Sequence, residues 1–224
     1  MRIAFIHAKS NAEVRLPDDI LQRLPNKIGI VTTVQHLHKI AQVRKQLPNA
    51  IMAGQVLGCR ADAARLLSKK LDAFLYVGSG EFHPIEVALV SRRPVFCWNP
   101  LTQKFGELDP VTIQKYQKRV IGAINKFYHA KNVGVLVSTK RGQNNNMITS
   151  PTLRNKLDPV NQILERNDGK KYYLFAFNTL DRNELENYPF IDVWLNLACS
   201  RIFDDDMKNL VNWQDIVRHE AVHE

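Results

Sequence analysis

Cysteine is scarce in this chain: three residues in 224, at positions 59, 97 and 199. Odd in number and far apart, they form no disulfide framework, and none lies at the short spacing of a zinc finger or a Cys-x-x-Cys pair. A reducing, cytoplasmic compartment suits such a composition. No run of 18 apolar residues is present, so no transmembrane helix is expected. The opening Met1–His7 burst lacks the length and the small-residue cleavage site of a signal peptide and reads as a strand. There is no GxGxxG fingerprint, and no Ser-His-Asp or paired-carboxylate arrangement can be read from spacing.

Acidic residues are also in short supply, 22 against 31 basic, for a net charge of +9. Six of the acids lie after Ile202, where only Lys208 and Arg218 oppose them; that stretch carries −4 and leaves +13 on the rest. Between Val111 and Arg141 there are seven basic residues and no acidic one. This favours an anionic partner, whether nucleic acid, a protein bound to nucleic acid, or an acidic protein. A solvated helix face accounts for the same charges equally well, and no finger, arginine-rich or aromatic-interleaved motif supports direct nucleic-acid readout.

What is present is an ordinary globular composition, 45% apolar and 24% charged, with strands alternating with helices throughout. Strands are expected at Arg2–His7, Lys27–Thr33, Ala73–Val77, Pro94–Trp98, Asn132–Thr139, Lys171–Phe177 and Phe190–Leu197. Helices are expected near Asp18–Leu24 and over Gln35–Leu47, Asp62–Leu71, Ile85–Ser91, Val111–Tyr128 and Leu153–Glu165, with a short one at Leu180–Leu185 and a last one after Asp204-Asp205-Asp206. The alternation predicts an α/β fold of tandem small parallel sheets flanked by helices, about four strands in each half. A split near Ala130 gives domains at 27–130 and 131–224, with 1–26 a remnant or alternative N-terminal segment.

In open α/β sheets ligands gather outside the carboxyl ends of the strands, and four stretches there carry chemistry. Gly54-Gln55-Val56-Leu57-Gly58-Cys59 holds an apolar run between glycines and ends in a thiol; glycine suits a cysteine presented from a tight loop, and an inert buried thiol suits the same residues. Gly78-Ser79-Gly80-Glu81-Phe82-His83-Pro84 is a strand-to-helix turn whose backbone N–H groups can cradle an anion, or an ordinary glycine turn with a surface histidine. Thr32-Thr33-Val34-Gln35-His36-Leu37-His38 brings two histidines that cannot share a helix face. Gly142-Gln143 follows the strand at Asn132–Thr139. Cys199 stands at the end of another strand, 140 positions from Cys59. Cys97, inside an apolar strand, is expected to pack.

In this order, Thr32–His36, Gly54–Cys59, Val77–Pro84, Ser138–Gln143 and Ala198–Arg201 closely resemble the Dph1/Dph2 family of diphthamide synthesis enzymes, from about Lys27 to Asp206. The resemblance implies three similar α/β domains, each giving one cysteine to a central four-iron–four-sulfur (4Fe-4S) cluster with one iron left open for S-adenosylmethionine. The reduced cluster would cleave the sulfonium to release an aminocarboxypropyl radical, which adds to a histidine imidazole of translation elongation factor two. On this likeness the chain corresponds to the second and third domains of that fold. Cys59 and Cys199 would be iron ligands, and Gly78, Ser79, Gly80, His83 and Gln143 would line the S-adenosylmethionine cleft.

Several departures bear on that expectation. No cysteine precedes Cys59, the family's Asp-Pro is Asn99-Pro100, its Cys-Pro-Arg is Cys199-Ser200-Arg201, and the segment between Gln35 and Cys59 is short. The third ligand is therefore expected from a partner carrying the first domain, or from a full-length homologue. The alternatives are a non-catalytic scaffold or electron-relay paralogue without the full cluster, and a basic nucleic-acid- or ribosome-binding module.

Overall fold

The structure, a computed structural model, describes residues 6–57, 60–140, 159–202 and 209–223. The chain forms two compact units, Met1–Lys115 and Tyr116–Glu224. Among the described residues no helix is long and apolar enough to cross a membrane.

The first unit is built on β1 (Ile28–Thr32), β2 (Ile51–Gln55), β3 (Ala73–Val77), β4 (Val95–Asn99) and β5 (Lys104–Glu107), ordered β2-β1-β3-β4-β5. The first four are mutually parallel, and β5 turns back antiparallel on β4. Every residue of β1 and β3 is buried, as expected of central parallel strands covered on both faces. Their side chains alternate between two cores. Ile28, Ile30, Leu75, Val77 and Trp98 pack under α1 (Asp18–Leu21) and α2 (Ile40–Gln46), together with Val14 and Leu16. Val31, Phe74, Tyr76 and Val95 pack under α3 (Asp62–Leu67) and α4 (Phe82–Ser91).

The second unit orders β6 (Asn132–Ser138), β7 (Lys171–Phe177), β8 (Val193–Asn196) and β9 (Leu210–Asn212) as β7-β6-β8-β9, all parallel. One face is covered by α5 (Pro110–His129), α6 (Pro159–Leu164) and α8 (Trp213–His223) through Ile124, Phe127, Ile163 and Ile216. Phe127 is fully buried, and burial of such a ring contributes roughly 1.5–3 kcal/mol. The other face carries Trp194, Phe175 and the short α7 (Arg182–Leu185). The long helix starts where Asp109 accepts hydrogen bonds from Val111 N (3.0 Å) and Thr112 N (3.2 Å), with Pro110 following it.

The expected α/β architecture is the observed one, and three strands add to it. The strand β2 is an edge strand with a register shift opposite Ile30/Val31 and Gly54 at φ +85°. The strand β5, Lys-Phe-Gly-Glu, is a polar edge, and β9 is only three residues long. The helix expected over Gln35–Leu47 begins as a 3-10 turn at Leu37–Lys39 before α2. The strand expected at Phe190–Leu197 begins only at Val193, because Ile191 N closes a turn onto Tyr188 O and the Asp192 carboxylate accepts from Lys131 N and Asn132 N. Most of the strand expected at Arg2–His7, and residues 153–158 of the helix expected at Leu153–Glu165, lie outside the described residues.

Candidate functional site

Each unit presents a turn at the carboxyl edge of its sheet. In the first, β3 ends at Val77 and its register partner Thr32 donates through Oγ1 to Val77 O at 2.6 Å, tying β1 to β3 at the edge. Gly78 N donates to Trp98 O at 2.9 Å. A side chain at Gly78 would place its Cβ 2.5 Å from Tyr76 Oη, so the buried tyrosine ring fills that space. The same hydroxyl donates to Ser79 O at 3.1 Å. Gly80 sits at φ +71° with nothing near its missing Cβ, a left-handed conformation that side chains resist. His83, in the first turn of α4, stacks on Tyr76 (ring centroids 6.2 Å apart, planes 12°) and meets Phe82 edge-on. Thus Gly78, Ser79, Gly80 and His83 form one local constellation, organised by Tyr76.

Cys97 lies beside Tyr76 in the sheet register. Burial, then the nearby Glu81 carboxylate, pushes its thiol up to about 12. It stays protonated at neutral pH and packs with the core, a poor metal ligand. Burial likewise raises the Tyr76 phenol, with Cys97 adding to it, so Tyr76 remains a donor.

Leu57 and Arg60 face one another in an antiparallel bridge, exchanging backbone bonds of 2.9 and 3.0 Å. They flank Gly58 and Cys59, which lie outside the described residues. Val56 N donates to Thr32 O at 2.8 Å, anchoring this approach beside β1. His36 is 4% exposed and its Nδ1 has no hydrogen-bond partner among the described residues; burial, then the nearby His38 and Lys39, lowers its pKa. Gln35 and His38 are exposed.

In the second unit the turn after β8 carries Cys199, a free, half-buried thiol. Its backbone is held by one side chain. Asn196 Oδ1 accepts from Ala198 N at 2.9 Å, while its Nδ2 donates to Cys199 O at 3.2 Å and to Asn212 Oδ1 at 2.9 Å. Asn212 Nδ2 in turn donates to Asp215 Oδ2 at 3.1 Å. Burial raises the Asp215 pKa, against the Asn212 bond and the Arg218 and Arg119 charges. Ile202 N closes the turn onto Cys199 O at 3.0 Å. Motif reading singled out Cys199 and missed Asn196 and Asn212, each the last residue of a short apolar strand and buried by the fold. Gln143 lies outside the described residues.

Among the described residues no group of three or more His, Cys, Asp or Glu side chains is placed to hold a metal ion. Cys199 has the soft, partly accessible donor that iron–sulfur ligation needs. It fits as one ligand of a shared site.

The family model described as "Putative diphthamide synthesis protein" matches residues 1–210. The 2-(3-amino-3-carboxypropyl)histidine synthase of Pyrococcus horikoshii is 29% identical over 83% of this chain and 54% of its own length. The Methanocaldococcus jannaschii enzyme of that name is 31% identical over 80% of this chain and 46% of its own. Human 2-(3-amino-3-carboxypropyl)histidine synthase subunit 1 is 24% identical over 92% of this chain and 45% of its own. The crystal structure of Dph2 from Pyrococcus horikoshii with a 4Fe-4S cluster superposes with a TM-score of 0.68 at 25% identity, covering 92% of this chain and 60% of that one. The chain spans about half the length of the curated relatives it matches.

Proposed function

The chain belongs to the diphthamide synthesis protein family, and on that premise we propose that it is part of a transferase placing the aminocarboxypropyl group of S-adenosylmethionine on a histidine of translation elongation factor two. The observation that carries this reading is the free Cys199 thiol, fixed by Asn196 at the carboxyl edge of a parallel sheet. Cys199 and Cys59 would hold iron. A 4Fe-4S cluster, when bound, supplies the electron that opens the sulfonium carbon–sulfur bond. A further ligand would come from outside these 224 residues, on another segment or on a partner chain such as a full-length homologue.

The residues of this chain bind and orient. In the turn at Gly78-Ser79-Gly80, the open space at Gly80 would leave backbone groups accessible to a carboxylate. His83, braced by Tyr76, offers an imidazole beside it; on the family likeness alone, Gln143 would contribute a neutral amide. Cys97, protonated, takes no part in ligation. The exposed Lys115, Lys118 and Lys126 of α5 would face the acidic surface or bound RNA of the elongation factor. The setting is cytoplasmic.

The test is transfer of labelled aminocarboxypropyl to the elongation factor by the anaerobically isolated native complex, with mass-spectrometric location of the modified histidine. The expected result is modification lost in both Cys59→Ala and Cys199→Ala. Full modification in the Cys59→Ala/Cys199→Ala double variant would instead assign the chain a scaffolding role.

A further inference from the structure

A pocket of about 270 Å³ opens in the first unit, and the transfer chemistry leaves it without a role. The extended segment ahead of α1 lines one side, and Trp98, near the carboxyl end of β4, lines it from the sheet. Burial alternates along that segment. Val14 and Leu16 enter the core that holds Trp98, while Glu13 and Arg15 stay exposed, the two-residue period of an extended chain. Asp18 in α1 and Gln103, between β4 and β5, complete the polar lining. Two side chains hold the segment in place. Lys39 Nζ donates to Asn11 O (2.7 Å) and Ala12 O (2.8 Å). Gln46 clamps Leu16 at both backbone groups, Oε1 accepting from Leu16 N at 2.9 Å and Nε2 donating to Leu16 O at 2.8 Å. Trp98 packs in one core of the sheet and Tyr76, which braces His83, in the other, so the pocket is distinct from the glycine turn.

Two observations point to a ligand. Trp98 is 2% exposed, and its indole Nε1–H has no hydrogen-bond partner among the described residues; a buried donor calls for an acceptor. Glu13, Asp18 and Arg15 place both signs of charge on one concavity, and none of them is ion-paired among the described residues. A lone cation there would face Arg15, and a lone anion would face two carboxylates. A molecule carrying both charges meets each with its opposite. Its ammonium suits Glu13 and Asp18, and its carboxylate suits the Arg15 guanidinium fork and the indole N–H. Leu16 and Pro17 add an apolar wall for a side chain. The volume equals that of about nine waters at about 30 Å³ each, and it falls short of the roughly 300–1,000 Å³ of a drug-sized site. That suits a single amino acid better than a nucleoside conjugate such as S-adenosylmethionine.

We propose that this pocket binds a free α-amino acid as its zwitterion. The site involves neither the iron ligands nor the glycine turn, so its test stands whether or not the transferase reading holds. Calorimetric titration of the full chain with leucine provides it, alongside isoamylamine and isocaproate, which each keep one charge of leucine. Leucine is expected to bind, and each single-charge analogue to bind at least tenfold more weakly. Arg15→Met and the double variant Glu13→Gln/Asp18→Asn are each expected to weaken leucine about tenfold, the loss of one charge-assisted interaction. Trp98→Phe, which keeps a ring and removes the donor, is expected to weaken it as well. Lys69→Met, a charge loss in the turn after α3, is expected to leave binding unchanged, with circular dichroism confirming that each variant is folded. Absence of leucine binding, an analogue that binds as tightly as leucine, or binding indifferent to Arg15→Met or to Trp98→Phe would overturn the proposal.

Discussion

Strand for strand, β2-β1-β3-β4 in the first unit has the same order as β7-β6-β8-β9 in the second. The turns after β3 and β8 thus occupy equivalent places in their sheets, yet they are held in different ways. After β3 the shape is set sterically: glycines where no side chain fits or where the backbone is left-handed, and a tyrosine ring filling the gap. After β8 it is set by polar bonds from one buried amide, relayed to Asn212 and Asp215. The cysteines differ in the same sense. Cys199 follows β8, whereas Cys59 follows β2, whose counterpart β7 leads into Asn178 and Thr179. One sheet plan therefore carries its cysteine-bearing turns on different strands in its two copies.

Removing the amide should break the contrast most severely. Asn196→Ala deletes three hydrogen bonds and leaves Asn212 Oδ1 and Ala198 N without that partner. A loss of about 3 kcal/mol is expected in chemical denaturation, with faster alkylation of Cys199, mapped by mass spectrometry against the protonated Cys97 as internal reference. Wild-type stability and unchanged alkylation would show that the turn holds itself. Gly78→Ala probes the steric turn. Overpacking against Tyr76 should cost about 2 kcal/mol, partly recovered in Gly78→Ala/Tyr76→Phe, since the 2.5 Å contact to the hydroxyl is relieved and the 2.7 Å contact to Cζ is not. Additivity of the two substitutions would refute that account. Gly80→Ala, with open space around it, should cost only the left-handed strain, about 1 kcal/mol; a loss as large as that of Gly78→Ala would contradict the distinction.

The smallest effect is one of pH. Asp215 has its folded-state pKa raised above 3.8 by burial, so the folded state prefers its protonated form. Its contribution to stability is greatest below 3.8 and is lost as pH rises through the folded value. Stability curves of wild type and Asp215→Asn should diverge over that acidic window and run parallel above it. Parallel curves throughout would remove Asp215 from the relay.

The sequence displays what rests on side-chain pattern and hides what rests on pairing. Central strands such as Ala73–Val77 are legible because they are buried on both faces and read as unbroken apolar runs. The polar β5 exists because β4 offers it a ladder, and β2 bends through a positive-φ glycine and a register shift; neither leaves a periodic trace. At the site, the glycines after β3 were visible as a motif, while Tyr76, which gives Gly78 its role, reads as one more core residue. Asn196 was hidden likewise, since its partners Cys199 and Asn212 are fixed only by the fold.

The central claim is that Cys199 and Cys59 hold iron, and low-temperature electron paramagnetic resonance of the anaerobically isolated, dithionite-reduced native complex tests it most directly, with iron and sulfide quantified alongside. A reduced 4Fe-4S signal in the wild type, lost or altered in both Cys199→Ser and Cys59→Ser but retained in Cys97→Ser, is the predicted result. A wild-type complex without iron, or a signal indifferent to Cys199 and Cys59, would contradict it.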